Sequence, residues 1–290
     1  SGVFIDHLPV LISIGVFMAD LKKRRLGKTN LMVTELGLGA MDTPQVAEGE
    51  ETLQKAIDSG INFIDTAREY EQSEYLLGQV LRTRSNQELH IATKTMNRSV
   101  NGSQYDVDRS LSILGVDQID LYQLHDVSSL QAWEAVMGEN GALAGLKIAQ
   151  VRGLVKHIGI SSHNLNILDL AIRCGEFGAV MLEYSAFYND TESLIELAMQ
   201  HDVGVIVMRP MGGSGRASAI RTQIQATQQK FFLTPKMLLR YVFSNLKISV
   251  AIPGARYPSR IQENVELASN YQPLGEALKR QCEREAAALF

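Results

Sequence analysis

The feature that most constrains this chain is an alternation repeated eight times. Short apolar, largely β-branched runs are each followed by a stretch whose apolar residues recur at helical spacing. The expected strands cover residues 35–40, 61–64, 89–93, 118–124, 157–160, 180–184, 203–208 and 248–252. Between them fall helical stretches at 49–59, 74–84, 106–114, 133–151 (interrupted at Asn140-Gly141), 164–172 and 192–200. A glycine-bearing segment, 210–233, is expected to be a mobile loop with a helical portion, ahead of helices at 235–243 and 258–268. Strands that are apolar throughout suit a parallel sheet covered on both faces.

Eight such units in 290 residues favour an α/β protein with a closed (β/α)8 barrel, the TIM-barrel architecture. An open doubly wound sheet is the alternative. It would carry a GxGxxG turn after its first strand, and Gly37-Leu-Gly39-Ala-Met-Asp42 does not fit that pattern. A short N-terminal β-hairpin precedes the repeats, with its turn at 27–30, and an extra amphipathic C-terminal helix follows them at 274–289. Residues 1–17 contain an apolar stretch too short for a membrane span and without signal-peptide flanks. They are expected to be a disordered leader or extension, leaving 18–290 as a single barrel domain.

Composition narrows the function. With 45% hydrophobic and 21% charged residues the chain can bury a large core. A net charge of −4 supplies no basic face for nucleic acid, and the short run Lys22-Lys-Arg-Arg25 reads as a solvated turn. Cys174 and Cys282 stand alone, outside any CxxC spacing, which suits a reducing cytoplasm and implies neither a disulfide framework nor a metal centre.

In a barrel of this kind function gathers where the strands end. Asp65, Lys94 and His125 each sit at such an end, and Tyr70 follows Asp65 in the next loop. An ammonium near a phenol favours the phenolate and is expected to lower the Tyr70 pKa, making proton exchange usable. Asp65 can hold Lys94 by an ion pair, and His125 can donate a hydrogen bond to a carbonyl oxygen. Together these groups suit a carbonyl that receives a hydride at carbon and a proton at oxygen. His157 and His163 are expected to be structural, and Trp133 and Tyr188 can face either the substrate mouth or the core.

Several stretches carry a family resemblance: Arg25-Leu-Gly27, Leu36-Gly-Leu-Gly-Ala40, Asp65-Thr-Ala67 with Tyr70, Ser73-Glu74, Ala92-Thr-Lys94, Asp120-Leu-Tyr-Gln-Leu-His125, His157-Ile-Gly-Ile-Ser-Ser162 and Glu263-Asn264. Over residues 24–270 the chain resembles the aldo-keto reductases. The resemblance implies a catalytic tetrad of Asp65, Tyr70, Lys94 and His125, NADPH as the hydride source, and a small-molecule carbonyl compound as substrate. It also implies cofactor contacts at Ser161, Ser162, Met181, Met208, Arg209, Gly254, Arg256, Arg260, Glu263 and Asn264. Ser162 stands where the family usually has Asn, Met181 where it has Gln, and Met208 where an aromatic ring stacks on the nicotinamide. Glu71 replaces the glycine that usually follows the catalytic tyrosine. The family also includes partner-binding subunits that keep the tetrad, so a cofactor-binding regulatory protein with little turnover is the alternative. Substrate choice is expected to lie in the loops after the fourth and seventh strands and in the tail, the least patterned parts of the chain.

Overall fold

The structure is a computed structural model that describes residues 20–84, 88–227 and 231–289. Residues 1–17, expected to be a leader, lie outside the described residues. The chain begins with an antiparallel hairpin, β1 (Lys23–Arg25) and β2 (Met32–Thr34), in register Arg24 opposite Val33. Its turn uses left-handed backbone at Gly27 (φ 51°) and Asn30 (φ 58°). Gly27 is required for a second reason: a Cβ there would lie 2.1 Å from the backbone nitrogen of Gly204.

Eight parallel strands follow, lying side by side in sequence order. They are β3 (Leu38–Gly39), β4 (Phe63–Asp65), β5 (His90–Thr95), β6 (Ile119–Leu124), β7 (Val155–Ser161), β8 (Ala179–Glu183), β9 (Gly204–Met208) and β10 (Val250–Ala251). First and last strand are brought together by bridges Leu36–Ala251 and Gly39–Gly254, with Gly37 N donating to Ala251 O at 2.9 Å and Gly39 N to Pro253 O at 3.2 Å. A Cβ on Gly39 would meet Ile252 O at 2.9 Å, so this seam needs glycine to close. The result is the expected (β/α)8 barrel, closed more loosely at this seam than elsewhere.

One part of the barrel interior is an apolar stack. Leu26 and Val33 of the hairpin region pack with Phe63, Ala92, Leu121, Ala179, Ile206 and Val250, and Met181, Ile252 and Met208 complete the cluster. The hairpin therefore stoppers the barrel at one end, and the methionines lie toward the other.

Helices wrap the outside: α1 (Gly49–Asp58), α2 (Ser73–Arg82), α3 (Val100–Leu114), α4 (Leu130–Met137), α5 (Ala142–Val151), α6 (Leu165–Arg173), α7 (Glu192–Gln200), α8 (Ser214–Thr227), α9 (Pro235–Phe243), α10 (Pro258–Asn270) and α11 (Glu276–Leu289). In α1 the buried face is Leu53, Ala56 and Ile57, and truncating a side chain like Leu53 to alanine typically costs about 2–5 kcal/mol. The helix expected from residue 106 starts six residues earlier. Ser99 caps it by accepting from Gly102 N, and Gly115 ends it in left-handed conformation (φ 70°). The break at Asn140-Gly141 separates α4, which ends where Gly138 turns to extended backbone (ψ 164°), from α5, and a Cβ on Gly141 would lie 2.3 Å from Val136 O. The segment 210–233, expected to be a mobile loop with a helical portion, holds α8 over Ser214–Thr227. Thr234 caps α9, with Pro235 at its first turn. Among the described residues no helix is long and apolar enough to cross a membrane.

Candidate active site

Parallel pairing aligns the strand ends, and this brings together residues distant in sequence. Asp65 closes β4 and Lys94 lies within β5; both are almost completely buried. Lys94 Nζ donates to Asp65 Oδ1 at 2.5 Å, to Thr66 O at 2.8 Å and to the Tyr70 hydroxyl at 3.4 Å. Each N–H of the ammonium thus has an acceptor, which a buried charge requires. The other carboxylate oxygen of Asp65 accepts from Gln123 Nε2 at 2.9 Å. Lys94 Nζ also sits 4.6 Å from the centre of the Tyr70 ring. Tyr70 meets the His125 ring edge-on, with centroids 5.4 Å apart and planes at 83°.

The electrostatics differ from the sequence expectation at Tyr70. Burial pushes the phenol up, Lys94 pulls it down, and Asp65 adds to the upward push. The net direction is upward, so the hydroxyl keeps its proton rather than ionising. Burial opposes the charge of Lys94, yet Asp65 and Tyr70 outweigh it and hold the ammonium above its ordinary pKa. For Asp65 burial is the dominant influence and pushes the carboxyl up, against Lys94 and Gln123.

A cavity of about 670 Å³ opens over these groups. Asp65, Tyr70 and His125 line one part of it, and Ser161, Met181 and Met208 another. From there it continues past Arg209, Gly254, Arg256, Arg260 and Asn264 to the start of α10. The hydroxyl of Ser161 accepts from Asp126 N at 2.9 Å. Ser162 does not line this cavity. Its Oγ accepts from Asn164 N at 3.0 Å, and the residue borders an adjacent cavity of about 320 Å³ with His163, Glu183, Tyr188 and Arg209. Glu263 is also absent from the main lining and instead pairs with Arg260 at 3.0 Å and Arg221 at 3.2 Å.

The groove suits a phosphorylated dinucleotide in its chemistry. Arg209, Arg221, Arg256 and Arg260 lie along it, and Arg221 Nε is a buried donor with no acceptor among the described residues. Tyr257, at the N-cap of α10, provides no side-chain cap, and Tyr257, Arg260 and Asn264 bring the start of that helix to the groove's end. Arg256 leans toward Asp42 across the barrel seam, at 3.6 Å. These features fit an anionic cofactor whose other end rests on the methionines.

Several site residues were not picked out from sequence. Glu69, one position before Tyr70, accepts a hydrogen bond from the His125 ring at 3.1 Å. Glu183 pairs with Arg209 at 3.2 Å and lies 3.8 Å from the His163 ring, so His163, expected to be structural, lines both cavities. Gln123 and Arg221 carry no local motif; the alternation of β6 could have pointed Gln123 inward beside Leu121, but nothing marked Arg221. Trp133 packs against the core beside Phe177, with ring centroids 6.4 Å apart, and Tyr188 lies at the side cavity.

Comparison with known proteins identifies the family of this fold. The profile of the Aldo/keto reductase family matches residues 35–232. The oxidoreductase YqkF of Bacillus subtilis (strain 168) is 24% identical over 304 aligned positions, covering 89% of this chain and 95% of that protein. Among solved structures, the holo form of aldo-keto reductase AKR11C1 from Bacillus halodurans superposes with a TM-score of 0.76 at 24% identity, covering 91% of this chain and 96% of that one, a likeness of fold. A putative aldo-keto reductase from Pseudomonas aeruginosa gives a TM-score of 0.71 at 27% identity, covering 87% of this chain and 95% of its own. With the family profile spanning most of a barrel whose strand ends gather these groups, the chain belongs to the aldo/keto reductase family and is an NAD(P)H-dependent oxidoreductase.

Proposed function

We propose that this protein reduces the carbonyl group of small aldehydes or ketones with NADPH, and that Tyr70 is the proton donor. The observation that carries the reading is the position of Lys94, which bonds both Asp65 and the Tyr70 hydroxyl at the edge of a cavity of cofactor size. When bound, the nicotinamide supplies a hydride to the carbonyl carbon. The work of this chain is at the oxygen. Tyr70 holds its proton because burial raises its pKa, and it gives that proton up as negative charge develops on the substrate oxygen. Lys94, held charged by Asp65, stabilises the phenolate left behind. His125 borders the same space and orients the oxygen when its Nε2 carries a proton. In this reading Ser161, Met181 and Met208 hold the nicotinamide and Arg256, Arg260 and the start of α10 the adenosine phosphates, supported by their lining one cavity. Guanidinium groups bind phosphate in a fork and keep their charge, which supports a preference for NADPH over NADH. The two free cysteines suit a reducing compartment such as the cytoplasm.

The test is a screen of NADPH oxidation over aldehydes, ketones and sugars, repeated with NADH and with Tyr70→Phe. Loss of a general acid lowers turnover by a factor of about 10² to 10⁴, while cofactor binding persists. Near wild-type turnover in Tyr70→Phe removes Tyr70 from the chemistry. Tight NADPH binding without turnover on any carbonyl favours the partner-binding alternative instead.

A further inference from the structure

We propose that Glu69 is a positioning residue that decides which nitrogen of His125 carries the proton, and that it thereby makes the cavity take carbonyls or alcohols according to the charge on that ring. His125 Nδ1 lies 3.1 Å from Glu69 Oε2, while Glu69 Oε1 accepts from Met96 N at 2.9 Å. Both carboxylate oxygens are therefore engaged, and the backbone amide prevents the carboxylate from turning. Burial works against its charge, but the bonds from His125 and Met96 outweigh it and hold Glu69 below the usual carboxylate range. An ionised carboxylate only accepts hydrogen bonds. The hydrogen between Glu69 and His125 must then reside on Nδ1.

A neutral imidazole has one N–H, so its Nε2 is bare. No described residue gives Nε2 a partner, and His125 lines the cavity with 15% of its side chain exposed. A bare Nε2 and a carbonyl oxygen are both acceptors and repel, whereas a hydroxyl can donate to Nε2. When the ring is charged both nitrogens donate, and the carbonyl becomes the matched ligand. The other charged groups around the ring come from several elements. Asp65 at the end of β4 is paired with Lys94 of β5, Tyr70 packs edge-on, and Asp126 follows His125 directly. Arg98, beyond β5, donates to Asp126 O at 2.9 Å. Among the described residues Glu69 is the acid in hydrogen-bond contact with the ring.

Nitrogen-15 NMR of the histidine rings tests the assignment without requiring turnover, with His125→Gln identifying the signals. The expected wild-type pattern for the neutral ring is a protonated Nδ1 and a bare Nε2. In Glu69→Gln the amide oxygen can remain on Met96 N while its NH2 donates to Nδ1, so the pattern reverses. A wild-type ring protonated at Nε2, or a pattern unchanged in Glu69→Gln, overturns the proposal; should that variant fail to fold, the wild-type pattern alone decides. The kinetic half rests on the proposed carbonyl reduction. In wild type the KM for an aldehyde rises about tenfold or more as the ring loses its charge, the cost of facing an acceptor with an acceptor. In Glu69→Gln it stays within about twofold over the same pH span, because the neutral ring now donates. A pH-flat KM in wild type overturns the selection. A wild type that reduces no carbonyl refutes the proposed reaction instead, and the spectra still decide the role of Glu69.

Discussion

Lys94 Nζ and Asp65 Oδ1 stand 2.5 Å apart, with neither residue more than 2% exposed. The two reach this contact from neighbouring parallel strands, β4 and β5, so the pair is built into the barrel wall rather than carried on a loop. Thr66 O and Gln123 Nε2 take up further bonding capacity of the pair, which is what makes a buried ion pair tolerable.

Removing one partner strands the other. Lys94→Met is expected to cost about 3–5 kcal/mol at neutral pH, because the Asp65 carboxylate is left buried without its cation. Burial already pushes Asp65 up, and losing Lys94 removes an opposing influence. A carboxyl whose folded pKa lies above its unfolded value, about 3.9, favours the fold at low pH and loses that contribution as pH rises through the folded value. The variant should therefore lie closer to wild type at pH 5 than at pH 8 in urea titrations. An equal deficit at both would show that the charge of Asp65 is not the cause.

Met181 and Met208 line the cavity, and the family resemblance implies an amide and an aromatic ring as the usual residues at these two positions. A net hydrogen bond is worth about 0.5–1.5 kcal/mol and an aromatic pair a similar amount, and thioethers recover only part of the second. Cofactor affinity is then expected to come mainly from the adenosine end. By calorimetry, adenosine 2′,5′-bisphosphate should bind within about tenfold of NADPH, a gap of about 1.4 kcal/mol. NADPH binding thousands of times tighter would contradict this placing of the methionines.

Glu71 is exposed and has a φ of 39°, a left-handed conformation that costs a side-chain-bearing residue about 1–2 kcal/mol. Glycine relieves that strain but adds freedom to the unfolded chain, which returns part of the gain. Glu71→Gly should stabilise the fold by about 0.5–1 kcal/mol, read from the urea midpoint at unchanged slope. A loss of stability would show that the Glu71 side chain contributes more than its backbone costs.

Asp120, at the start of β6, accepts from Ile91 N at 3.0 Å and from Lys156 Nζ at 2.7 Å, with the His90 ring at 3.6 Å. Burial pushes its pKa up, but the nearby His90 ring and the bonds from Lys156 and Ile91 outweigh it and leave the carboxyl below its ordinary value. A depressed carboxyl contributes stability that is present above its unfolded pKa, about 3.9, and is lost as pH falls through the folded value. Asp120→Asn should be less stable than wild type at pH 7 and should lose less on acidification below about pH 4. Parallel stability curves for the two proteins would place the acid sensitivity elsewhere.

The barrel was legible because its strands are short, apolar and regularly spaced, and Asp65, Lys94 and His125 because strand ends are where such runs turn polar. Three things were not. The first turns of α3 are Val100-Asn-Gly-Ser-Gln, a stretch without an apolar face, and their helical state depends on the Ser99 cap and on packing against α5. The direction of the Tyr70 pKa depends on how deeply the ring is buried, a property of packing that no spacing encodes. Glu69 and Glu183 reach His125 and Arg209 across loops, so only the folded chain shows the pairing. Sequence singled out Glu71 as a replacement for the usual glycine but left the backbone of that loop open, and the structure shows it left-handed.

Glu71 has company. Asp126 (φ 48°) and Arg209 (φ 51°) are left-handed too, and the three residues directly follow Tyr70, His125 and Met208. Each of these cavity residues is thus succeeded by a link that its own chemistry disfavours, held in place by the barrel on either side. Excised as peptides these loops would relax to other shapes. The site is accordingly not portable: its geometry belongs to the whole ring of strands, and grafting the residues onto a slacker frame would carry over the letters without the shape.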